Sequence, residues 1–385
     1  MNIIVLHCFS RNALAVINSL DPSYRLIGGT EKTNNIFSNT IDKYFTSSRL
    51  KDFFRYTDPA QNPNQFKEDV IEKCNFYKAD AVLATGTTVT NYLSKFKKDI
   101  SAQANTKVLV EEYKKLNQLS DKWKIANICE KLDVPIPETF LLQEYIEKHQ
   151  PDNMTFPLII KPRDSYAAKG VTYIRSYPEM ESYIATFKAS KKESYTDLIV
   201  QEHVSGQLHD VTSCAKKGFV LSMLSQQRVM SLYDFGGGGI VNKTTYEPDM
   251  MEYAKRIIKY LEWNGILEFD FIRTDSGEYF LLECNPKIWG TTQLTVDAGL
   301  NMPQQLVDNF MFDIPLKTKT DYEVGIVYKW LFPECVYHWF STPVSFTNIL
   351  KRFLNTWKRY GNKKALNNIN RSNLRHLLGS VLNSL

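Results

Sequence analysis

The stretch GILEFDFIRTDSGEYFLLECNPKIWG, residues 265–290, decides how the rest of the chain is read. Apolar and acidic residues alternate on both sides of Asp275-Ser276-Gly277, a polar cluster ending in glycine, so the pattern predicts two strands joined by a tight turn. A two-residue turn at Ser276 and Gly277 sets Asp270 opposite Glu283 and Glu268 opposite Asn285. Side chains two apart on a strand share a face, so four oxygen-bearing groups project from one side, with facing Cβ atoms roughly 4.5–5.5 Å apart. Like charges opposed across a ladder call for a compensating cation. Carboxylate and amide oxygens without His or Cys suit a hard ion, Mg²⁺ or Mn²⁺. The plain alternative is a solvated polar face.

Working outward, 385 residues exceed one compact core, and two or three domains are expected. The charged fraction of 23% and hydrophobic fraction of 43% are those of a soluble globular protein. The opening MNIIVLHCF reads as a first strand rather than a signal peptide, and no apolar run approaches the ~18 residues of a membrane span. Six scattered cysteines with no CxxC pair fit free thiols in a reducing compartment and argue against zinc. The cytoplasm is the expected location.

Taken in order, residues 3–6, 24–28 and 81–84 read as strands, and residues 66–77 as a helix, which predicts a parallel sheet with helices on its faces. No GxGxxG follows the first strand, where His7-Cys8-Phe9-Ser10-Arg11-Asn12 stands instead, so NAD binding is disfavoured. Thr85-Gly86-Thr87-Thr88 reads either as a plain turn or as the lining of a ligand crevice. A helix opens at Asp121-Lys122, where a cation in the first turn opposes the helix dipole and an electrostatic partner would explain it. FPLIIKP, residues 156–162, is a strand carrying Lys161, followed by a small-residue loop through Ser165, Lys169 and Gly170 that can admit a phosphate. LIVQEHV, residues 198–204, is another strand. Four consecutive glycines, Gly236 to Gly239, read as a mobile substrate loop or a flexible connector. A helix over 251–263 delivers the chain into the hairpin.

Five motifs stand in a fixed order: DK before a helix ending in VPIPET, IIKP with its loop, VQEHVSG, the acidic hairpin, and LLECNPKIWG. On these the chain resembles the ATP-grasp superfamily, most closely its carboxylate–amine ligase and carbamoyl-phosphate-synthase-like members, over roughly residues 1–312. The resemblance implies an α/β and α+β architecture: an N-terminal Rossmann-like pre-ATP-grasp domain (1–115), a two-lobed ATP-grasp domain with antiparallel sheets (116–312, small lobe about 155–205), and a helical, aromatic and basic C-terminal extension (313–385). It implies that Lys122 and Lys161 hold ATP phosphates, that Ser165, Lys169 and Gly170 lie in the loop over them, and that Gln201, Glu202 and Val204 receive adenine. Asp270, Glu283 and Asn285 match magnesium ligands, with Glu268 an alternate. Lys287 replaces a customary arginine near the γ-phosphate, which keeps charge but loses bidentate geometry. Arg228 is a candidate for holding the substrate carboxylate or the transferring phosphoryl group. Leu208 stands where an acid often holds the ribose, with His209 and Asp210 as substitutes.

The implied chemistry is attack of a carboxylate on the γ-phosphate of ATP, giving an acyl phosphate that an amine then displaces. The implied partners are ATP, a carboxylate and an amine. A kinase that stops at a phosphorylated hydroxyl, or a non-catalytic nucleotide-binding module, is the alternative.

Between Cys335 and Leu385 there is no acid but eight Lys or Arg. Phe346, Ile349, Leu350, Phe353, Leu354 and Trp357 repeat at helical spacing among Lys351, Arg352, Lys358 and Arg359. This is the pattern of a basic amphipathic helix on an anionic membrane surface, or of a helix packed on the body with a solvated basic face. Membrane contact would be coherent with a role in surface-glycan or cell-envelope synthesis. No nucleic-acid recognition motif accompanies the charge. A homodimer stays open.

Overall fold

The computed structural model describes the chain except residues 33–41, 149–153, 166–169, 191–193, 234–235, 313–316, 362–364, 370–372 and 385. Its first sheet is parallel, in the order β3-β2-β1-β4-β5, from β1 (Asn2–Leu6), β2 (Arg25–Glu31), β3 (Leu50–Tyr56), β4 (Ala81–Ala84) and β5 (Lys107–Val108). The predicted alternation of strand and helix is found; β3, whose polar residues hide its pattern, is an addition. Strand order reverses between β1 and β4, so their carboxyl ends open a crevice of the kind where α/β sheets bind ligands.

A second, antiparallel sheet comprises β6 (Thr139–Leu141), β7 (Leu158–Pro162), β8 (Thr172–Ile174) and β9 (Leu198–Glu202), ordered β6-β9-β7-β8. It has its own core, with Leu158, Ile160, Leu198 and Val200 packed on Leu142, Tyr145 and Met180. The third sheet, β14-β13-β10-β11-β12-β15-β16, holds β10 (Gln207–Lys216), β11 (Phe219–Tyr233), β12 (Gly236–Thr245), β13 (Gly265–Arg273), β14 (Tyr279–Asn285), β15 (Val327–Lys329) and β16 (Leu366–Asn367). Its apolar face shares one continuous core with the first sheet, Ile4 and Leu6 joining Leu267, Phe269 and Leu281.

The C-terminal segment is helical as expected, at Phe346–Trp357 and Leu374–Ser384, and it also supplies β15 and β16 to the large sheet. The four glycines correct an expectation. Rather than a mobile loop, they begin β12, where chain neighbours approach too closely for a side chain. A Cβ on Gly239 would stand 2.2 Å from Asn242 Oδ1, and one on Gly238 would stand 3.0 Å from Arg11 Nη2.

The hairpin is also corrected in detail. Thr274 and Glu278 flank a three-residue loop, with Thr274 N–H donating to Glu278 O and Gly277 at φ +94°. Near the loop Phe271 faces Leu281, yet Asp270 faces Glu283, because Leu282 is an extra, bulged residue. The expected acid pairing is present, reached by a longer turn and a bulge that offset each other.

Candidate active site

Lys122 begins the helix Lys122–Lys131, whose N-cap Asp121 accepts from the Trp123 and Lys124 amides. Asp121 is itself gripped by Arg163, Nη2 to Oδ2 at 2.7 Å, so the helix start is fixed to the end of β7. The partner that a first-turn cation requires is found twice: the buried Lys122 ammonium donates to the Ser165 carbonyl and lies 3.9 Å from Glu283 Oε2.

Lys161, on β7, is buried and donates to Gln201 Oε1 at 2.8 Å; Gln201 in turn donates to Thr139 Oγ1 at 2.8 Å. Burial, reinforced by the nearby Lys122 charge, lowers the Lys161 ammonium to about 8, against the pull of Glu283. A buried cation held below its ordinary range gains from an arriving anion. Glu202 ends β9 with its side chain exposed, and Val204 follows half-buried. Gly170 lies at φ +73°, and a Cβ there would meet Pro162 Cγ at 2.8 Å, so this position requires glycine. Lys169 lies outside the described residues.

A small cavity of about 30 Å³ gathers Thr87, Lys122, Ser165, Glu283, Asn285 and Lys287. Thr87 belongs to the TGTT turn, so that turn lines a site. Cys284 alternates to the opposite face and is buried in the core.

Beside this cavity Asp210, Glu268 and Asp270 bring carboxylate oxygens within 4.8 Å of one another. Asp210 is a correction in place: it sits on β10 directly across from Asp270, not as a ribose-binding acid after the hinge. Its carboxylate accepts from Arg228, from Gln226 at 3.0 Å and from Asn242 at 3.4 Å. His209 points to the other face, against Tyr279. Arg228 also reaches Asp270 Oδ2 at 3.1 Å. Burial and the Asp210 and Glu283 carboxylates push Asp270 up to about 7 despite Arg228, and burial with Asp270 and Asp210 pushes Glu268 up strongly. Lys122, Lys161 and Lys287 outweigh burial at Glu283 and hold it below its ordinary value. Asp270 Oδ1 is buried with no hydrogen-bond partner among the described residues. Hard oxygen donors, a surplus of negative charge and one free carboxylate oxygen fit a divalent cation.

Arg11 was not legible as a site residue. It opens the helix that follows β1 and its turn, partly buried over Trp330 at 5.0 Å and 3.8 Å from Glu334, and a Cβ on Gly290 would stand 2.4 Å from its Nη2. The only signal was its position at the first βα turn.

One antiparallel sheet presents Lys161 and Gln201, the other an acidic hairpin, and Lys122 stands close to both. Residues 119–291 match the family model of the ATP-grasp domain, and the chain is similar to ATP-grasp carboxylate–amine ligases. It is 23% identical over 279 residues to the D-aspartate ligase of Enterococcus faecium, covering 66% of this chain and 63% of that one. It is 27% identical over 201 residues to the coenzyme gamma-F420-2:alpha-L-glutamate ligase of Methanococcus maripaludis, covering 49% and 66%. The chain thus spans less than two thirds of the length of either relative. The fold matches the biotin carboxylase domain of Hydrogenobacter thermophilus 2-oxoglutarate carboxylase with a TM-score of 0.67 at 13% identity, over 84% of this chain and 73% of that one.

Proposed function

We propose that this protein is an ATP-dependent ligase that activates a carboxylate as an acyl phosphate and transfers it to an amine, releasing ADP and phosphate. The observation that carries this reading is the meeting of Lys122, Lys161 and Lys287 with Glu283 and Asn285 around one site beside a buried acidic cluster. Triphosphate and carboxylate together bring about five negative charges into one cleft, and the chemistry needs positioning and charge neutralisation more than a protein nucleophile. Lys122 and Lys161 bind the phosphates, Lys161 regaining full charge as they arrive. Lys287 and Arg228 face the transferring group and the substrate acid. Asp270, Glu283 and Asn285, with Glu268, would hold Mg²⁺ or Mn²⁺, which supplies charge neutralisation for the triphosphate. Gln201, Glu202 and Val204 form the strand that receives adenine, and Asp210 keeps Arg228 in place.

The reading is tested by following ADP and phosphate release against carboxylic acids paired with amines. Asp270→Ala and Glu283→Ala abolish turnover while the fold persists; full ADP release by either variant removes the assignment.

A peripheral place at an anionic membrane, consistent with a role in cell-envelope or surface-glycan synthesis, is supported by the helix Phe346–Trp357. Its apolar side chains face outward, with Phe346 80%, Leu354 59% and Trp357 56% exposed. Among the described residues no helix is long and apolar enough to cross a membrane.

A further inference from the structure

An amphipathic helix on a globular protein ordinarily turns its apolar stripe to the core. The helix Phe346–Trp357 does the reverse. Asn348, Lys351, Arg352 and Asn355, at the i, i+3, i+4 and i+7 spacing of a single face, turn toward the body, with Lys358 just beyond. Arg352 is buried against it, while Lys351, Asn355 and Lys358 stay exposed. These side chains form one wall of a cavity of about 500 Å³ whose other wall is the end of β11 and the start of β10 with Gly206 before it, reaching Arg228.

No lining residue is acidic. Arg228 is engaged by Asp210 and Asp270, and Arg352 donates to the Ser341 carbonyl at 2.6 Å, so both are fixed in position. Among the described residues neither Lys351 nor Lys358 has a carboxylate within ion-pair distance. A large water-accessible cavity with unbalanced positive charge at one end and the guanidinium beside Asp270 at the other is shaped for an anion that reaches the phosphoryl-transfer site.

On the ligase reading above, we infer that this cavity is a substrate subsite for a carboxylate- or phosphate-bearing molecule, its anionic group held by Lys351 and Lys358 and its reacting end at Arg228. The C-terminal segment thereby takes part in substrate selection.

The test uses the full chain with its nucleotide site filled by Mg·ADP, whose binding is titrated first; absence of that binding would count against the nucleotide reading, independently of the subsite. Succinate and inorganic phosphate are then titrated. The wild type binds at least one of them saturably, the tighter one naming the anion class. K351Q/K358Q loses at least about fivefold in that affinity with Mg·ADP binding unchanged, and K351R/K358R restores it. No saturable binding of either anion to the wild type, or equal binding by K351Q/K358Q, overturns the inference.

Discussion

Asp270 on β13 and Glu283 on β14 stand directly opposite each other, although the next pair toward the loop, Phe271 and Leu281, stands in a register one residue different. Leu282 absorbs the difference. Leu281 therefore points into the core while Glu283, only two residues later, points away from it toward Lys122. A one-residue slip moves every side chain of a strand to the other face, so the bulge is what keeps the acid out of the apolar layer.

This makes length at Leu282 decisive. Deleting one of the two leucines leaves a regular ladder with Asp270 still facing Glu283, and Mg·ATP affinity stays within about tenfold. Inserting a third leucine drives Glu283 and Asn285 toward the core, and affinity falls at least ~100-fold. Calorimetric titration of the two variants distinguishes them; similar affinities would refute the register argument.

ATP binding should carry a proton with it in mildly alkaline solution. Free Lys161 loses its proton at about 8 because burial disfavours the ammonium, and an arriving triphosphate raises it again. Above pH 8 binding takes up as much as about one proton, and affinity falls as pH rises through that window; at pH 6.5 uptake is negligible. Titrations at pH 8.5 in buffers of different ionisation enthalpy measure it, and Lys161→Met removes the uptake.

The C-terminal helix confers acid sensitivity. His376 is buried, with Nε2 3.4 Å from the Ser10 carbonyl, and burial holds it down at about 4. Its unfolded value lies near 6.5, so between these values the unfolded chain holds more protons and stability declines as pH falls. The total is about 3 kcal/mol, complete only below pH 4. Urea unfolding at pH 7 and pH 4.5 shows a shallower decline in His376→Gln.

Vesicles containing anionic lipid should bind the full chain, less tightly as salt rises, through the outward face of Phe346–Trp357. Replacing Phe346, Leu354 and Trp357 together by serine lowers co-sedimentation at least about tenfold. Equal sedimentation, or none by the wild type, rejects the membrane reading.

Strand and helix alternation, the apolar periodicities and the ordered motifs around Lys122, Lys161, Gln201 and the ECNPK run are local properties, and they determined the fold class and most of the candidate site. Asp270, Glu268, Glu283 and Asn285 were legible because a strand's two-residue period assigns faces without knowledge of the rest of the molecule. The compensating bulge at Leu282 was not, since pairing register depends on which apolar side chains the first sheet offers as a core. Asp210 was legible as a candidate but its place was not, and Arg11 was not legible at all: one gains its place from the strand beside it, 60 residues away from Asp270, and the other from Gly238 and Gly290, which leave room for its guanidinium. The outward apolar face of Phe346–Trp357 is the sharpest case. Its residues specify an amphipathic helix, and only the tertiary contacts of Arg352 with Ser341 and of Thr356 with Trp339 decide which side meets the protein.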